Sequence, residues 1–257
     1  MERQNREDRP RETAPLDGVA VVTGASSGIG AAVARALSKG GMKVALAARR
    51  EPALREVRAS LGPHAEALVV PTDVTDRGAV KKLAGRVEGD LGPPDVLVNC
   101  AGVMYYTLMQ NAHEDDWECT VDVICKGTLN TLGAFLPGMI SRGRGHVITV
   151  SSDAGRKVFP GLAVYSGAKA FVEFVSQGLR LETAGTGIKV TTVQPGNVDT
   201  PLQRMSRDRE ALALYGEPTG ARILAPEDVA DAVLYAVSQP EHLAVNEVLL
   251  QPREEPI

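Results

Sequence analysis

Short runs of valine, isoleucine, leucine and alanine recur along this chain and alternate with longer segments of helical character. Such runs suit strands that are buried on both faces, and their alternation with helices is typical of a parallel sheet covered on both sides. The pattern predicts the α/β fold class, as a Rossmann-type doubly wound parallel sheet of about seven strands. The predicted strands are Val19–Val22, Val44–Ala47, Ala67–Val70, Val96–Val98, Val147–Val150, Lys189–Val193 and Glu247–Leu250.

The chain has 257 residues and contains no repeat or internal linker, so we predict one domain over residues 16–257. Within it, residues 201–225 are predicted to form an irregular or helical insertion before a last helix that begins at Pro226. Residues 1–15 are charged and lack the apolar core that a secretory signal requires, so we predict a disordered N-terminal arm.

Composition argues against several functional classes. The net charge is −4, whereas a nucleic-acid surface requires a clustered excess of Lys and Arg, so we expect no DNA or RNA partner. No apolar stretch reaches the roughly 18 residues of a membrane span. Three cysteines and four scattered histidines lack the spacing of a metal site or a disulfide framework. We therefore predict a cytoplasmic protein without a metal.

A glycine-rich turn connects the first predicted strand to the first predicted helix. Gly24, Gly28 and Gly30 lie there, and glycine permits a tight turn and a close backbone approach. The following helix N-terminus offers free N–H groups to a pyrophosphate, so the turn predicts a dinucleotide site. The alternative is an ordinary turn, since glycines also mark turns that bind nothing.

Two arginines follow the second predicted strand. An acidic side chain near this position would bind the ribose hydroxyls of NAD, whereas an arginine can pair with the 2′-phosphate of NADP. Here Arg49 and Arg50 follow Ala48, and no acid occurs before Glu51. This pattern favours NADP(H), although a solvated arginine pair at a strand end would look the same.

Tyr165 and Lys169 lie four residues apart at the start of a predicted helix, which places both side chains on one face. Alone, such a pair is an unremarkable helix flank. Ser152, thirteen residues before Tyr165, follows the fifth predicted strand and could donate a hydrogen bond to a substrate oxygen. Together with the dinucleotide site, these residues indicate catalysis.

Several motifs, in the same order along the chain, resemble those of the short-chain dehydrogenase/reductase family, from about Leu16 to the C-terminus. Within that family, the chain resembles the NADP-preferring subgroup. The resemblance implies that Ser152, Tyr165 and Lys169 are the catalytic residues. It also implies a cofactor site formed by Gly24, Ser26, Ser27, Gly28, Ile29, Gly30, Arg49, Arg50, Asp73, Val74, Asn99, Ala101, Gly102, Tyr165, Lys169, Pro195, Gly196, Val198 and Thr200.

One position departs from the family pattern. The family usually has a catalytic Asn in a stretch of the form Asp-x-Asn-x-x-Gly, and "VDVICKG" places Ile124 there. By the resemblance, that Asn helps to hold a water beside the lysine. Asn130 lies six residues further on and is expected to face elsewhere. The route by which Lys169 receives protons is therefore open.

Reduction of a carbonyl requires a hydride at carbon and a proton at oxygen. A tyrosine with a pKa of about 10 is a slow proton relay at neutral pH, and a cation about 4 Å away can lower that pKa by about three units. We therefore expect Lys169, helped by the charge of oxidised nicotinamide, to lower the pKa of Tyr165.

The sequence predicts an NADPH-dependent oxidoreductase that reversibly reduces a ketone or aldehyde. An apolar substrate pocket is expected at Met104, Tyr105, Phe159, Leu162 and residues 202–215. Ile124 supports an alternative, a catalytically weak NADP(H)-binding regulatory protein. The family resemblance implies a homo-oligomer, either a dimer or a tetramer, built on the helices around Asp115–Pro137 and Val164–Glu182.

Overall fold

The computed structural model describes residues 16–216 and 220–255, and the predicted N-terminal arm lies outside these ranges. Seven parallel strands form one sheet in the order β3-β2-β1-β4-β5-β6-β7, which confirms the predicted Rossmann-type fold. The strands are β1 (Val19–Thr23), β2 (Lys43–Ala48), β3 (Ala67–Pro71), β4 (Pro94–Asn99), β5 (Gly145–Val150), β6 (Ile188–Pro195) and β7 (Glu247–Leu250). The extension of one domain to residue 257 stays a prediction.

Helices connect the strands and cover both faces of the sheet. They are α1 (Gly28–Lys39), α2 (Glu51–Ser60), α3 (Arg77–Asp90), α4 (Glu114–Val121), α5 (Gly127–Arg142), α6 (Ala163–Glu182), α7 (Arg209–Tyr215) and α8 (Pro226–Val237). A π-helical segment, Asp122–Lys126, joins α4 to α5 without a break. Short π-helical segments inside α-helices occur frequently at functional sites.

Alternate side chains of each strand contribute to two different cores. In β1, Val22 points to the core formed with α1 and α8, whereas Val21 points to the core formed with α3 and α5. Every residue of β1 is buried. This burial on both faces explains why the strands read as continuous apolar runs rather than as alternating patterns.

The strand order reverses between β1 and β4, and a hydroxyl fixes the chain at this point. The Thr23 Oγ1 accepts hydrogen bonds from the backbone N–H groups of Cys100 (3.1 Å) and Ala101 (3.2 Å). It donates to the carbonyl of Val98. In open parallel sheets, ligands bind in the crevice at such a reversal, outside the carboxyl ends of the strands.

The predicted insertion before α8 contains a 3₁₀ turn, Pro201–Arg204, and α7. Buried Asp208 attaches this insertion to the loop that follows β4. Its carboxylate accepts hydrogen bonds from the N–H of Leu108 (2.9 Å) and from the Nδ2 of Asn111 (3.1 Å), and it also caps α7 at the N–H of Ala211 (3.0 Å). The two segments are therefore held together.

Two surface features concern partners. The continuous helical run Glu114–Arg142 is long and apolar enough to cross a membrane by length and composition alone, but 44% of its apolar window is buried inside the protein. On α6, Phe174 and Leu181 are exposed although both are large and apolar. Exposed apolar side chains grouped on a helix mark surfaces that associate with other proteins.

Candidate active site

A cleft of about 840 Å³ opens at the carboxyl ends of the strands, beside the reversal of strand order. It brings together all the predicted catalytic residues and all the predicted cofactor residues except one, Asn99. Its lining includes Gly24, Ser26, Ser27, Gly28, Ile29, Gly30, Arg49, Arg50, Asp73, Val74, Ala101, Gly102, Ser152, Tyr165, Lys169, Pro195, Gly196, Val198 and Thr200. The cleft is large enough for a dinucleotide and a small substrate.

The glycines of the first turn are required by backbone geometry. Gly24 has φ +66° and Gly28 has φ +51°, a region that side chains rarely adopt. A Cβ on Gly24 would lie 2.7 Å from the carbonyl oxygen of Cys100, and a Cβ on Gly30 would clash with the carbonyl oxygen of Gly24. The absence of side chains therefore allows the turn to pack against both α1 and the end of β4.

The N-terminus of α1 faces the cleft with its N–H groups free for a ligand. Ser27 at the N-cap makes no capping hydrogen bond through its side chain, and the first turn has no acidic residue. By contrast, Asp76 caps α3 through the N–H groups of Gly78 and Ala79. The uncapped end of α1 fits a pyrophosphate, because the free N–H groups and the helix dipole both favour an anion.

The two arginines after β2 lie at the same end of the cleft. The Arg50 guanidinium donates hydrogen bonds to the hydroxyls of Ser26 (3.3 Å) and Ser27 (3.2 Å) in the glycine turn. Arg49 lines the cleft beside it. No acidic residue of the described chain occupies the end of β2, where a ribose-binding carboxylate would lie. The donor set fits a ribose that carries a phosphate.

The catalytic candidates meet further along the cleft. Ser152 follows β5, and its hydroxyl lies 3.0 Å from the Oδ1 of Asp153. Tyr165 and Lys169 lie on the first turns of α6, and the Lys169 Nζ is 5.6 Å from the centroid of the Tyr165 ring. The Ser152 hydroxyl acts on the pKa of the Tyr165 phenol, so the two groups lie close together. Serine, tyrosine and lysine therefore form one constellation.

The expectation that Lys169 lowers the pKa of Tyr165 is wrong for the protein without its cofactor. Burial raises the pKa of the phenol well above its usual value, and Asp153, Tyr106 and Cys100 add to this, whereas the hydrogen bond from Ser152 lowers it. Tyr165 is 8% exposed. The phenol therefore keeps its proton at neutral pH.

Lys169 is also buried, and burial lowers its pKa to about 8. Its ammonium donates a hydrogen bond of 2.8 Å to the carbonyl of Val150 at the end of β5. Because the ammonium is held by this carbonyl rather than by the phenol oxygen, it stabilises the phenolate less than the spacing along the helix suggested. At pH 7 the lysine is charged, and it loses its proton as the pH rises through about 8.

Ile124 faces α6, as its position in the sequence motif implies. It lies in the π-helical segment and packs in one apolar cluster with Tyr165, Ala168 and Val172. Asn130 faces away, because its Nδ2 donates a hydrogen bond of 2.8 Å to the carbonyl of Val74. An apolar side chain thus occupies the place where the family pattern has an amide.

Of the predicted substrate pocket, Met104, Phe159 and Leu162 line the cleft, and from residues 202–215 the lining includes Leu202, Met205 and Tyr215. Asn99 and Tyr105 do not line it. Asn99 lies beneath it, where its Oδ1 accepts a hydrogen bond of 2.7 Å from Thr131. Tyr105 was predicted for the substrate pocket, but its hydroxyl lies 3.7 Å from the Sγ of Cys119. The neighbouring Tyr106 lines the cleft instead. In this loop, the extended backbone directs successive side chains to opposite sides.

The cleft also contains residues that the sequence analysis did not name, among them Asp153, Lys157 and Glu255. Asp153 could have been found from its position directly after Ser152. Glu255 lies near the C-terminus, and no sequence signal connects it to the site. Within residues 16–216 and 220–255, no group of three or more His, Cys, Asp or Glu side chains is placed to hold a metal ion.

Comparison with known sequences decides the family. A sequence profile described as short chain dehydrogenase matches residues 18–211. The chain belongs to the short chain dehydrogenase family. As a short chain dehydrogenase, it is an oxidoreductase by class.

Individual relatives of this short chain dehydrogenase include a glycine betaine reductase of Emericella nidulans, which is 58% identical over 256 residues. The match covers 99% of this chain but only 20% of that protein. A closed form of serine dehydrogenase complexed with NADP⁺ has a TM-score of 0.85 and 32% identity, covering 93% of this chain and 96% of that chain. An actinorhodin polyketide ketoreductase variant with NADPH has a TM-score of 0.84 and 30% identity, and the match covers 92% of this chain and 96% of that chain.

Proposed function

We propose that this short chain dehydrogenase is an NADPH-dependent carbonyl reductase that reduces a ketone or aldehyde to an alcohol and also runs in reverse. The observation that carries the proposal is the constellation of Ser152, Tyr165 and Lys169 beside the uncapped N-terminus of α1. The structures of relatives with bound NADP⁺ and NADPH support the choice of cofactor.

NADPH, when bound, supplies the hydride. Ser152 donates a hydrogen bond to the carbonyl oxygen of the substrate and so stabilises the negative charge that develops there. Tyr165 donates its proton to that oxygen. The high pKa of the phenol in the free protein suits this direction, because an acid that stays protonated at neutral pH is ready to donate. Lys169 supplies positive charge near the phenol as the proton leaves.

A panel of ketones and aldehydes tests the proposed activity. With the purified full chain, we expect at least one carbonyl compound to oxidise NADPH, followed at the absorbance band of the reduced cofactor. The matching alcohol and NADP⁺ should run in reverse at higher pH. Failure of every compound, with NADPH still bound in calorimetry, would contradict the proposal.

The arginines predict the choice between the two nicotinamide cofactors. Replacement of Arg49 by Ala removes a charged donor at the end of β2, where a 2′-phosphate would lie. We expect the Kd of NADPH to rise at least tenfold, in line with the roughly 1.5–3 kcal/mol of a hydrogen bond to a charged group. The Kd of NADH should change less than twofold.

Arg55→Ala is the matched control for this measurement. Arg55 is exposed and pairs with Glu51 on α2, away from the cleft. Its replacement should leave both Kd values unchanged in calorimetry. If Arg49→Ala weakens the binding of NADPH and of NADH equally, the arginine does not contact the 2′-phosphate.

Ile124 supports a second candidate function, a catalytically weak protein whose NADP(H) state controls a partner. An isoleucine cannot hold a water beside Lys169, so proton supply to the lysine lacks one of its usual parts. The two candidates differ in turnover. Rapid oxidation of NADPH by any compound of the panel would reject the regulatory function.

Ile124→Asn should change the pH profile more than the substrate affinity. An amide at this position would stabilise the charged form of Lys169, so its pKa should rise from about 8 and the alkaline limb of kcat should move to higher pH. We expect a shift of at least half a pH unit and less than a twofold change in KM. Ile124→Leu, which adds no polar atom, is the control. Overlapping profiles for the two variants would refute a role in proton supply.

The names of two relatives suggest the kind of substrate. Glycine betaine and serine both carry a positively charged nitrogen close to a carbon that bears oxygen. The ketoreductase is named for a polyketide, so the fold itself does not require such a charge. For this chain we propose a small cationic substrate.

We also propose a cytoplasmic homo-oligomer formed through the exposed apolar face of α6.

A further inference from the structure

Aromatic rings surround the substrate end of the cleft. Tyr106 and Tyr215 both approach Gly161, where a Cβ would lie 3.3 Å and 3.1 Å from their ring carbons. Phe159 packs with Tyr106 and Tyr165 in the apolar cluster that contains the catalytic phenol. These side chains come from three separate segments, yet all of them line the cleft. Aromatic faces attract cations, and they do so most strongly where water is excluded.

Two carboxylates lie among these rings. Asp153 follows the catalytic serine, and Glu255 is held by a hydrogen bond of 2.8 Å from the Nδ2 of Asn197. Both line the cleft. Both also act electrostatically on Tyr106, whose pKa is raised first by burial and then by these two negative charges. The carboxylates therefore share one region with the aromatic wall.

Lysines also line the described part of the cleft. Lys157 lines the cleft, but it is exposed, and its Nζ lies 6.0 Å from the centroid of the Phe159 ring. This distance is at the outer limit of a cation–π contact, so a positive charge lies beside this part of the aromatic wall. Lys169 is buried and its ammonium is bound to the carbonyl of Val150. The described lining of the cleft at this end therefore includes two carboxylates and an exposed lysine.

We propose that this cleft selects carbonyl substrates that carry a quaternary ammonium group, which binds between Asp153, Glu255 and the rings of Tyr106 and Tyr215. A trimethylammonium group suits such a wall, because it has no N–H to donate and interacts through charge and methyl contacts alone. This inference rests on the proposed carbonyl reductase function.

The reaction on such a substrate balances simply. The C–H bond that carries the hydride in NADPH breaks, and NADPH is oxidised to NADP⁺. A new C–H bond forms at the carbonyl carbon, which is reduced. The electron pair of the C=O π bond moves to oxygen, which takes the proton of Tyr165. Solvent then returns a proton to Tyr165, and the ammonium group is unchanged.

A pair of substrates with the same shape isolates the charge. Trimethylammonioacetaldehyde and 3,3-dimethylbutanal differ in a single position, where a charged nitrogen replaces a neutral carbon. With NADPH and the full chain, and with concentrations corrected for the hydrate, we expect kcat/KM to be at least tenfold higher for the cation. Equal values, or a higher value for the neutral aldehyde, would overturn the inference while leaving the carbonyl reductase function intact.

Variants then assign the preference to residues. Asp153→Asn keeps an oxygen that can accept from Ser152, and Glu255→Gln keeps one that can accept from Asn197. Each should reduce the ratio of the two kcat/KM values about tenfold. Glu254→Gln is the matched control, since Glu254 pairs with Arg253 and does not line the cleft. An unchanged ratio in both cleft variants would overturn the assignment.

Binding of the product alcohols gives a readout that does not depend on turnover. In calorimetry with NADP⁺ present, 2-(trimethylammonio)ethanol should bind at least tenfold more tightly than 3,3-dimethylbutan-1-ol. Asp153→Asn should reduce that difference. If neither aldehyde is reduced but the cationic alcohol binds preferentially, the proposed reductase function fails and the ammonium site stands. Equal binding of both alcohols would overturn the site.

Discussion

Tyr165→Phe should lower kcat about a thousandfold while the Kd of NADPH changes less than twofold. The substitution removes only the phenol oxygen, and general acid–base catalysis by one positioned side chain contributes roughly 10²–10⁴ in rate. The ring remains, so the apolar cluster with Ile124 and Val172 keeps its packing. Steady-state rates with NADPH, together with calorimetric binding of the cofactor, measure the two quantities separately.

Tyr105→Phe is the matched control for Tyr165→Phe. Both tyrosines are buried, at 9% and 8% exposure, and each substitution removes one hydroxyl. The hydroxyl of Tyr105 lies against Cys119 rather than in the cleft, so kcat should stay within twofold of the unmodified protein. Turnover that survives in Tyr165→Phe would exclude this phenol as the proton donor and would also remove the main support for the proposed mechanism.

Gly30→Ala should have the largest effect on stability among single methyl additions to the cofactor site. The added Cβ would clash with the carbonyl oxygen of Gly24. The three nearest atoms all belong to the backbone of Gly24 and Ala25, so no flexible side chain can move aside. We expect a loss of about 2–3 kcal/mol in the free energy of unfolding, since overpacking of this kind typically costs that much. The melting temperature should fall by about 4–12 °C. NADPH binding should also weaken, because the turn must move.

Gly85→Ala tests whether this effect is specific. Gly85 also lies inside a helix, α3, but nothing lies within 4 Å of the position of an added Cβ. Alanine is favoured over glycine in a helix interior, so this variant should be more stable by about 0.5–1 kcal/mol. The melting temperature should therefore fall for Gly30→Ala and rise for Gly85→Ala. A fall in both would mean that the clash at Gly30 is not the cause.

The sequence predicted the framework well because the framework depends on local patterns. Burial on both faces makes each strand a continuous apolar run, so all seven strands could be recognised before the structure was known. The glycine turn and the spacing of Tyr165 and Lys169 are local as well. The glycine turn is recognised from a few consecutive residues, and the spacing corresponds to about one turn of a helix. Neither feature requires knowledge of distant contacts.

The substrate end of the cleft could not be predicted in the same way, because it depends on contacts between distant segments. Glu255 reaches Asn197 across 58 positions of the chain. The choice between Tyr105 and Tyr106 depends on how one loop meets the insertion after β6. The pKa of Tyr165 depends on its burial and on several neighbouring groups. The helical spacing predicted only one of these neighbours, Lys169.

Asp208 has a consequence for how the substrate range of such a protein can change during evolution. One carboxylate holds the loop after β4 and the insertion before α8, and these two segments carry Tyr106 and Tyr215. A mutation that alters the length of either segment therefore displaces both. New specificities should arise by paired replacement of the two segments rather than by stepwise drift in one, while the cofactor half of the molecule is inherited unchanged.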